Sequence, residues 1–262
     1  LGCDFKFRII PAGNQSENEG LMMAQLALQN LMKRYYGRQV VESVSLNVGS
    51  GDVVGLLGPN GAGKTTTFYM TVGMVKPDGG HVFLNDADIT DCPMYLRAQK
   101  GVGYLPQEAS VFRKLTVEQN IMAILEILSI SRAEQKERAD RLLSELGIRH
   151  LAKQKASVLS GGERRRLEIS RSLATDPSFI LLDEPFAGID PLAVNDIRSI
   201  IRHLKERGIG ILISDHNVRE TLGVCDSAYI LSDGRVIESG PPEKIAASEI
   251  ARRIYLGDEF RL

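Results

Sequence analysis

Gly58-Pro59-Asn60-Gly61-Ala62-Gly63-Lys64-Thr65-Thr66 follows the apolar run Val53-Val54-Gly55-Leu56-Leu57 and precedes Thr67-Phe68-Tyr69-Met70. The spacing is G-x-x-x-x-G-K-[ST], set between a buried strand and the opening of a helix as that motif requires. The glycines let the backbone turn tightly enough to aim successive N–H groups at phosphate oxygens, and the new helix adds the partial positive charge of its N-terminus. Lys64 is placed to reach the outer phosphates of a nucleotide, and the Thr65 hydroxyl to ligate Mg²⁺. The plain alternative is a Gly-rich turn with an incidental lysine; the strand before it and the helix after it favour the phosphate cradle.

Outward from this loop, Phe179-Ile180-Leu181-Leu182 is the continuous apolar run of a strand covered on both faces of a parallel sheet. It ends at Asp183-Glu184, where α/β sheets place their ligands. Neighbouring strand residues face opposite sides, so the two acids divide the work: Asp183 as the Mg²⁺ partner, Glu184 as the base. A second buried run, Gly210 to Ser214, exits at Asp215-His216 and poises His216 toward a γ-phosphate. A third, Gly101 to Leu105, meets Pro106 and leaves Gln107 at a strand's exit.

Two further strands, Ala24 to Leu31 and Val44 to Val48, alternate like half-buried, antiparallel strands outside the βαβ core. Between them Tyr35-Tyr36-Gly37 offers one packed and one solvated ring. From Thr116 to Leu146 the pattern turns helical, with stripes at Ile121, Leu125, Leu128 and at Ala139, Leu142, Leu143, Leu146, which indicates a separate lobe. It leads to Leu159-Ser160-Gly161-Gly162-Glu163. Ser160 is a natural N-cap with Glu163 as its capping-box partner. This is either a simple helix start or, through N–H groups left unpaired at Gly161 and Gly162, a second anion site.

The bulk properties narrow the partners. Lys+Arg 32 against Asp+Glu 33 leaves a net charge of −1 over 262 residues, so no global basic field points to nucleic acid. Cys3, Cys92 and Cys225 lack C-x-x-C spacing, against a disulfide framework or structural zinc and for a reducing compartment. The longest apolar stretch, from Ile121, is broken by Glu126, far short of the ~20 residues that span a bilayer. Residues 1–22 read as a leader, dispensable or introduced by expression.

With these motifs together, the chain resembles the ATP-binding-cassette (ABC) ATPases from about Met23 to its end. Walker A is Gly58 to Thr65, Walker B is Phe179 to Asp183 followed by Glu184, and the signature is Leu159 to Glu163, with Glu163 where many members have Gln. The glutamine loop falls on Gln107, the aspartate loop on Ala187 to Asp190, and the switch histidine on His216. The resemblance implies an α/β P-loop NTPase fold: a mixed sheet core, an antiparallel β subdomain, and a helical subdomain over about 109–175 within a cassette of 23–262. It implies ATP hydrolysis with Mg²⁺ (Thr65, Gln107, Asp183) by a head-to-tail homodimer. Each nucleotide would lie between one subunit's Gly58, Asn60, Gly61, Ala62, Gly63, Lys64, Thr65 and Thr66 and the other's Ser160, Gly161, Gly162 and Glu163, with Tyr35 stacked on adenine.

It further implies a cytoplasmic location, peripheral on the inner membrane, and two integral membrane partner subunits, each inserting a short helix beside Phe112 and Arg113. In a soluble protein Phe112 would more often be a buried anchor. Gly103 to Leu115, Gly161 to Arg166, Glu184 to Pro191, Asp215 to Leu222 and the tail Tyr255 to Leu262 are similar to the ATPases of lipopolysaccharide exporters. Branched-chain amino-acid importers and soluble, non-transport cassettes are the alternatives; the former differ around Glu184 to Pro191, and the latter carry paired cassettes or long coiled-coil insertions.

Overall fold

The computed structural model describes residues 24–188, 191–257 and 259–261. The expected leader lies outside these residues, as do Ile189 and Asp190 of the expected aspartate loop and Asp258 and Leu262 of the tail.

In chain order the strands are β1 (Gln25–Tyr35), β2 (Arg38–Gly49), β3 (Val53–Leu57), β4 (Gly79–Leu84), β5 (Ala87–Asp88), β6 (Val102–Leu105), β7 (Phe179–Asp183), β8 (Gly210–Ser214), β9 (Ser227–Ser232) and β10 (Arg235–Gly240). The helices that concern the site are α1 (Lys64–Val72), α2 (Met94–Gln99), α3 (Val117–Leu125), α4 (Arg132–Glu145), α5 (Gly161–Leu173) and α6 (Pro191–Glu206).

Burial pattern sorts the strands into two sheets. In β3, β7 and β8 every residue is buried, and these strands run parallel at the centre of a six-stranded sheet of order β10-β9-β3-β8-β7-β6. Only β10 pairs antiparallel there. The alternation along β7 assigns its faces: Ile180 and Leu182 join the core shared with the helices, while Phe179 and Leu181 join the core under α1 and the second sheet. That second sheet, β2-β1-β4-β5, is antiparallel. β1 runs on to Tyr35, past the point where its sequence alternation stops. The pairing shifts between Leu28 and Leu31, and Asn30 sits at φ 50, so an irregularity in the strand resets which side chains face inward.

The expected helical stretch 116–146 is two helices. Thr116 caps α3 with a full capping box to Gln119, and Ser131 caps α4 by accepting from the Glu134 N–H at 3.2 Å. Their stripes (Ile121, Leu125, Leu142, Leu143, Leu146) share one core with Leu167 of α5 and with Ile180, Ile211 and Ile213 of the main sheet. The expected architecture of mixed sheet, antiparallel sheet and helical lobe therefore stands. Among the described residues no helix is long and apolar enough to cross a membrane.

Candidate functional site

The P-loop leaves β3 and turns into α1 through Gly63, at φ 103. A Cβ there would lie 2.7 Å from the Val40 carbonyl oxygen, and one on Gly58 would lie 2.1 Å from that of Leu231, so close backbone approach requires glycine at both. No side chain caps α1, and its first turn holds no acid. Its first N–H groups thus stay available to an anion, which is the feature that fits a nucleotide phosphate. Lys64 Nζ folds over the loop, donating to Gly58 O at 2.6 Å and Pro59 O at 3.0 Å. Burial lowers its pKa, while Glu184, Asp183 and Asp215 oppose that shift. Asn60, Gly61, Lys64, Thr65 and Thr66 line a cleft of about 170 Å³ that Val40 and Glu184 complete. Ala62 is buried beneath it.

Three strand exits meet opposite the loop. Gln107, past β6, donates from Nε2 to Glu184 Oε2 at 2.8 Å, and His216 Nδ1, past β8, lies 3.3 Å from the same oxygen. Asp183 ends β7 and is buried; the Tyr104 hydroxyl donates to its Oδ2 at 3.3 Å. Burial, reinforced by Glu184 and Asp215, pushes the Asp183 pKa up to about 6. The face-alternation argument for dividing the two acids does not reach Glu184. The strand stops at Asp183, and Glu184 takes a left-handed φ of 47, a sparsely populated conformation for a non-glycine residue. Both carboxylates act electrostatically on Lys64. Asp215, buried, pins the turn after Glu184 by accepting from the Phe186 N–H at 2.9 Å.

Thr65, Asp183 and Gln107 offer the oxygen donors that suit Mg²⁺. Among the described residues no group of three His, Cys, Asp or Glu could hold a metal unaided. Nucleotide oxygens would complete the ligand set, and a cation would offset the burial cost of ionised Asp183.

The start of α5 is a different kind of helix end. Ser160 Oγ accepts from the Glu163 N–H at 3.3 Å, and Glu163 Oε2 accepts from both the Ser160 N–H and its hydroxyl at 2.8 Å. The expected capping box forms, and it engages the Ser160 and Glu163 N–H groups while leaving those of Gly161 and Gly162 outside the cap. These residues do not line the Lys64 cleft of their own chain. Tyr35, at the end of β1, is 39% exposed with Lys33 Nζ 5.6 Å from its ring centroid, and is also not among the cleft residues. Tyr36 is wholly exposed at φ 49.

Phe112 is 45% exposed and no buried anchor, with Arg113 exposed beside it. Sequence reasoning passed over Arg165. It is buried, and donates from Nη1 to Pro106 O at 3.0 Å and from Nη2 to Asp183 O at 3.1 Å and Glu184 O at 3.3 Å. Its signal was position, one turn before buried Ile169 on the same helix face. Tyr104 and Arg171 gave no signal of their own.

The family model described as ABC transporter matches residues 41–187. The chain is 58% identical over 241 residues to the lipopolysaccharide export system ATP-binding protein LptB of Escherichia coli K12, covering 92% of this chain and 100% of that protein. It is 60% identical over 237 residues to a probable ABC transporter ATP-binding protein of Azorhizobium caulinodans, covering 90% and 84%. A crystal structure of an ATP-binding cassette of an ABC transporter in its ADP conformation superposes with a TM-score of 0.81 at 30% identity, over 90% of this chain and 100% of that one.

Proposed function

We propose, since this chain belongs to the ABC transporter family as one of its ATP-hydrolysing subunits, that it powers lipopolysaccharide export. The cargo rests on the likeness to LptB, which is named for that system. The hydrolysis rests on one observation above others: Gln107 and His216 converge on one oxygen of Glu184 at the edge of the Lys64 cleft. A carboxylate so placed can orient and deprotonate water, with Gln107 and His216 reporting whether a γ-phosphate is present. Thr65, Asp183 and Gln107 would hold Mg²⁺, which supplies charge neutralisation of the phosphates when bound. Tyr35 would stack on adenine.

One P-loop leaves the γ-phosphate open on one side, and a second subunit's Ser160, Gly161 and Gly162 would close it in a head-to-tail homodimer. Phe112 and Arg113 would receive a helix from each of two integral membrane subunits, an apolar anchor beside a charge that selects orientation. That assembly places the chain at the cytoplasmic face of the inner membrane.

The experiment has two arms. Glu184→Gln should lower turnover by roughly 10² or more while trapping ATP in a dimer; normal hydrolysis removes the base assignment. Purification of the native protein from membranes should bring down two integral membrane subunits and lipopolysaccharide. Recovery with an amino-acid importer, or with ribosomes and no membrane protein, replaces the transport reading.

A further inference from the structure

Arg165, Glu168 and Arg171 recur every three residues on α5 and so climb one side of the helix. Each holds a different part of residues 106–112, the segment that leaves β6. Arg165 donates to Pro106 O at 3.0 Å. Glu168 accepts the Ser110 N–H at 2.9 Å with one oxygen and Arg165 Nη1 at 3.2 Å with the other. Arg171 Nη1 donates to Ser110 O, and its guanidinium carbon lies 4.5 Å from the Phe112 ring centroid.

Arg165 and Glu168 are 7% and 4% exposed, so this is a buried, hydrogen-bonded pair, costly to break from one side. Arg171 Nε is buried with no hydrogen-bond partner, and the guanidinium is held by Ser110 and the Phe112 ring beside the Glu168 carboxylate. Ser160 starts the same helix, eleven residues before Arg171. That is three turns and about 16 Å along a stiff rod.

We infer that this ladder makes residues 106–112 travel with α5, so that a displacement of Ser160 reaches Phe112 through Arg171. The inference rests on the reading of Ser160 as the residue that closes the partner subunit's nucleotide. It adds a second input to Phe112. Gln107 reports the phosphate held by its own chain, and the ladder reports the one held by the other. Arg171 is a positioning residue: it acts through the Phe112 ring and touches no nucleotide.

The test places 4-fluorophenylalanine at position 112 of the full chain carrying Glu184→Gln and follows its ¹⁹F resonance as ATP and Mg²⁺ are added, with dimer formation read by size exclusion. ATP should shift the resonance. Arg171→Gln should remove at least half of that shift with dimer yield retained, and Arg171→Lys, which keeps the charge but not the fork, should fall between. Melting curves run in parallel; if Arg171→Gln fails to fold, Arg171→Lys alone decides, by a reduced shift. An unchanged shift in a dimerising Arg171 variant, or no shift in the dimerising parent, overturns the ladder and leaves the head-to-tail reading intact. Failure of the parent to dimerise with ATP takes down that reading and the ladder together.

Discussion

The helices α1 and α5 each carry a glycine at their start, Gly63 as the N-cap of α1 and Gly161 as the first residue of α5, yet their N-termini are built for opposite ends. α1 opens at Gly63 with no side-chain cap and no acid in its first turn. α5 opens at Ser160 with a complete capping box and Glu163 as its anionic member. An uncapped helix start is unfinished until something supplies acceptors, whereas a capped one is stable by itself. One helix start therefore leaves donors for a ligand to satisfy, and the other is complete by itself and can wait for a partner.

The sharpest way to break this contrast is to put the same methyl group at both ends. Gly63→Ala forces a left-handed φ of 103 on a residue whose Cβ would meet Val40 O at 2.7 Å. The expected cost is about 1–3 kcal/mol of stability together with loss of ATP binding. Gly161 has open space around it, so Gly161→Ala should fold within about 1 kcal/mol of the parent. Thermal denaturation and a nucleotide titration on both variants check the pair; equal damage at both sites ends the comparison.

A smaller effect follows from the acid behind α1. Asp183 titrates at about 6 in the folded chain against an ordinary 3.8. The fold resists its ionisation, so stability without nucleotide falls as pH rises from about 4 to about 6, and the full cost persists above that. That cost is on the order of 3 kcal/mol. Asp183→Asn should therefore raise the melting temperature at pH 8 in chelator and give no gain at pH 4. A gain of the same size at both pH values would trace it to packing rather than charge.

What the sequence made legible was local. The P-loop, the buried run before Asp183 and the Ser160 box each declare themselves within a dozen residues, because glycine spacing, apolar runs and caps act over one turn or one strand. What stayed hidden depends on distant chain. Three adjacent arginines read alike, yet Arg164 bonds Leu159 O, Arg165 binds both strand exits, and Arg166 pairs with Asp196. Arg97 gave no hint that it lies buried, donating to Met70 O and Thr71 O at 2.7 Å and finishing the C-terminal end of the P-loop helix. The left-handed turn at Glu184 was invisible for the same reason: it is held by Ser214 O and Arg165, from elements 30 and 19 residues away.

The finest test of the contrast is the charge on Glu163. Glutamine keeps an oxygen that can accept both Ser160 hydrogen bonds, so Glu163→Gln should preserve the cap while removing the one anion at that helix start. Ser160's hydrogen bonds hold the Glu163 carboxyl below the usual range, so the charge persists throughout neutral and mildly acidic pH. A carboxylate at a helix N-terminus contributes about 0.3–1 kcal/mol to the helix, and an approaching phosphate meets a repulsion of similar size, both weakened by salt. In a Glu184→Gln background, Glu163→Gln should therefore lower the ATP concentration for half-maximal dimer by roughly 2–5-fold at low salt, with a melting temperature nearly unchanged. Glu163→Ala, which lacks the acceptor, should instead lose about 1 kcal/mol of stability. If glutamine and glutamate dimerise alike at low salt, the difference between the two helix starts lies in their caps alone.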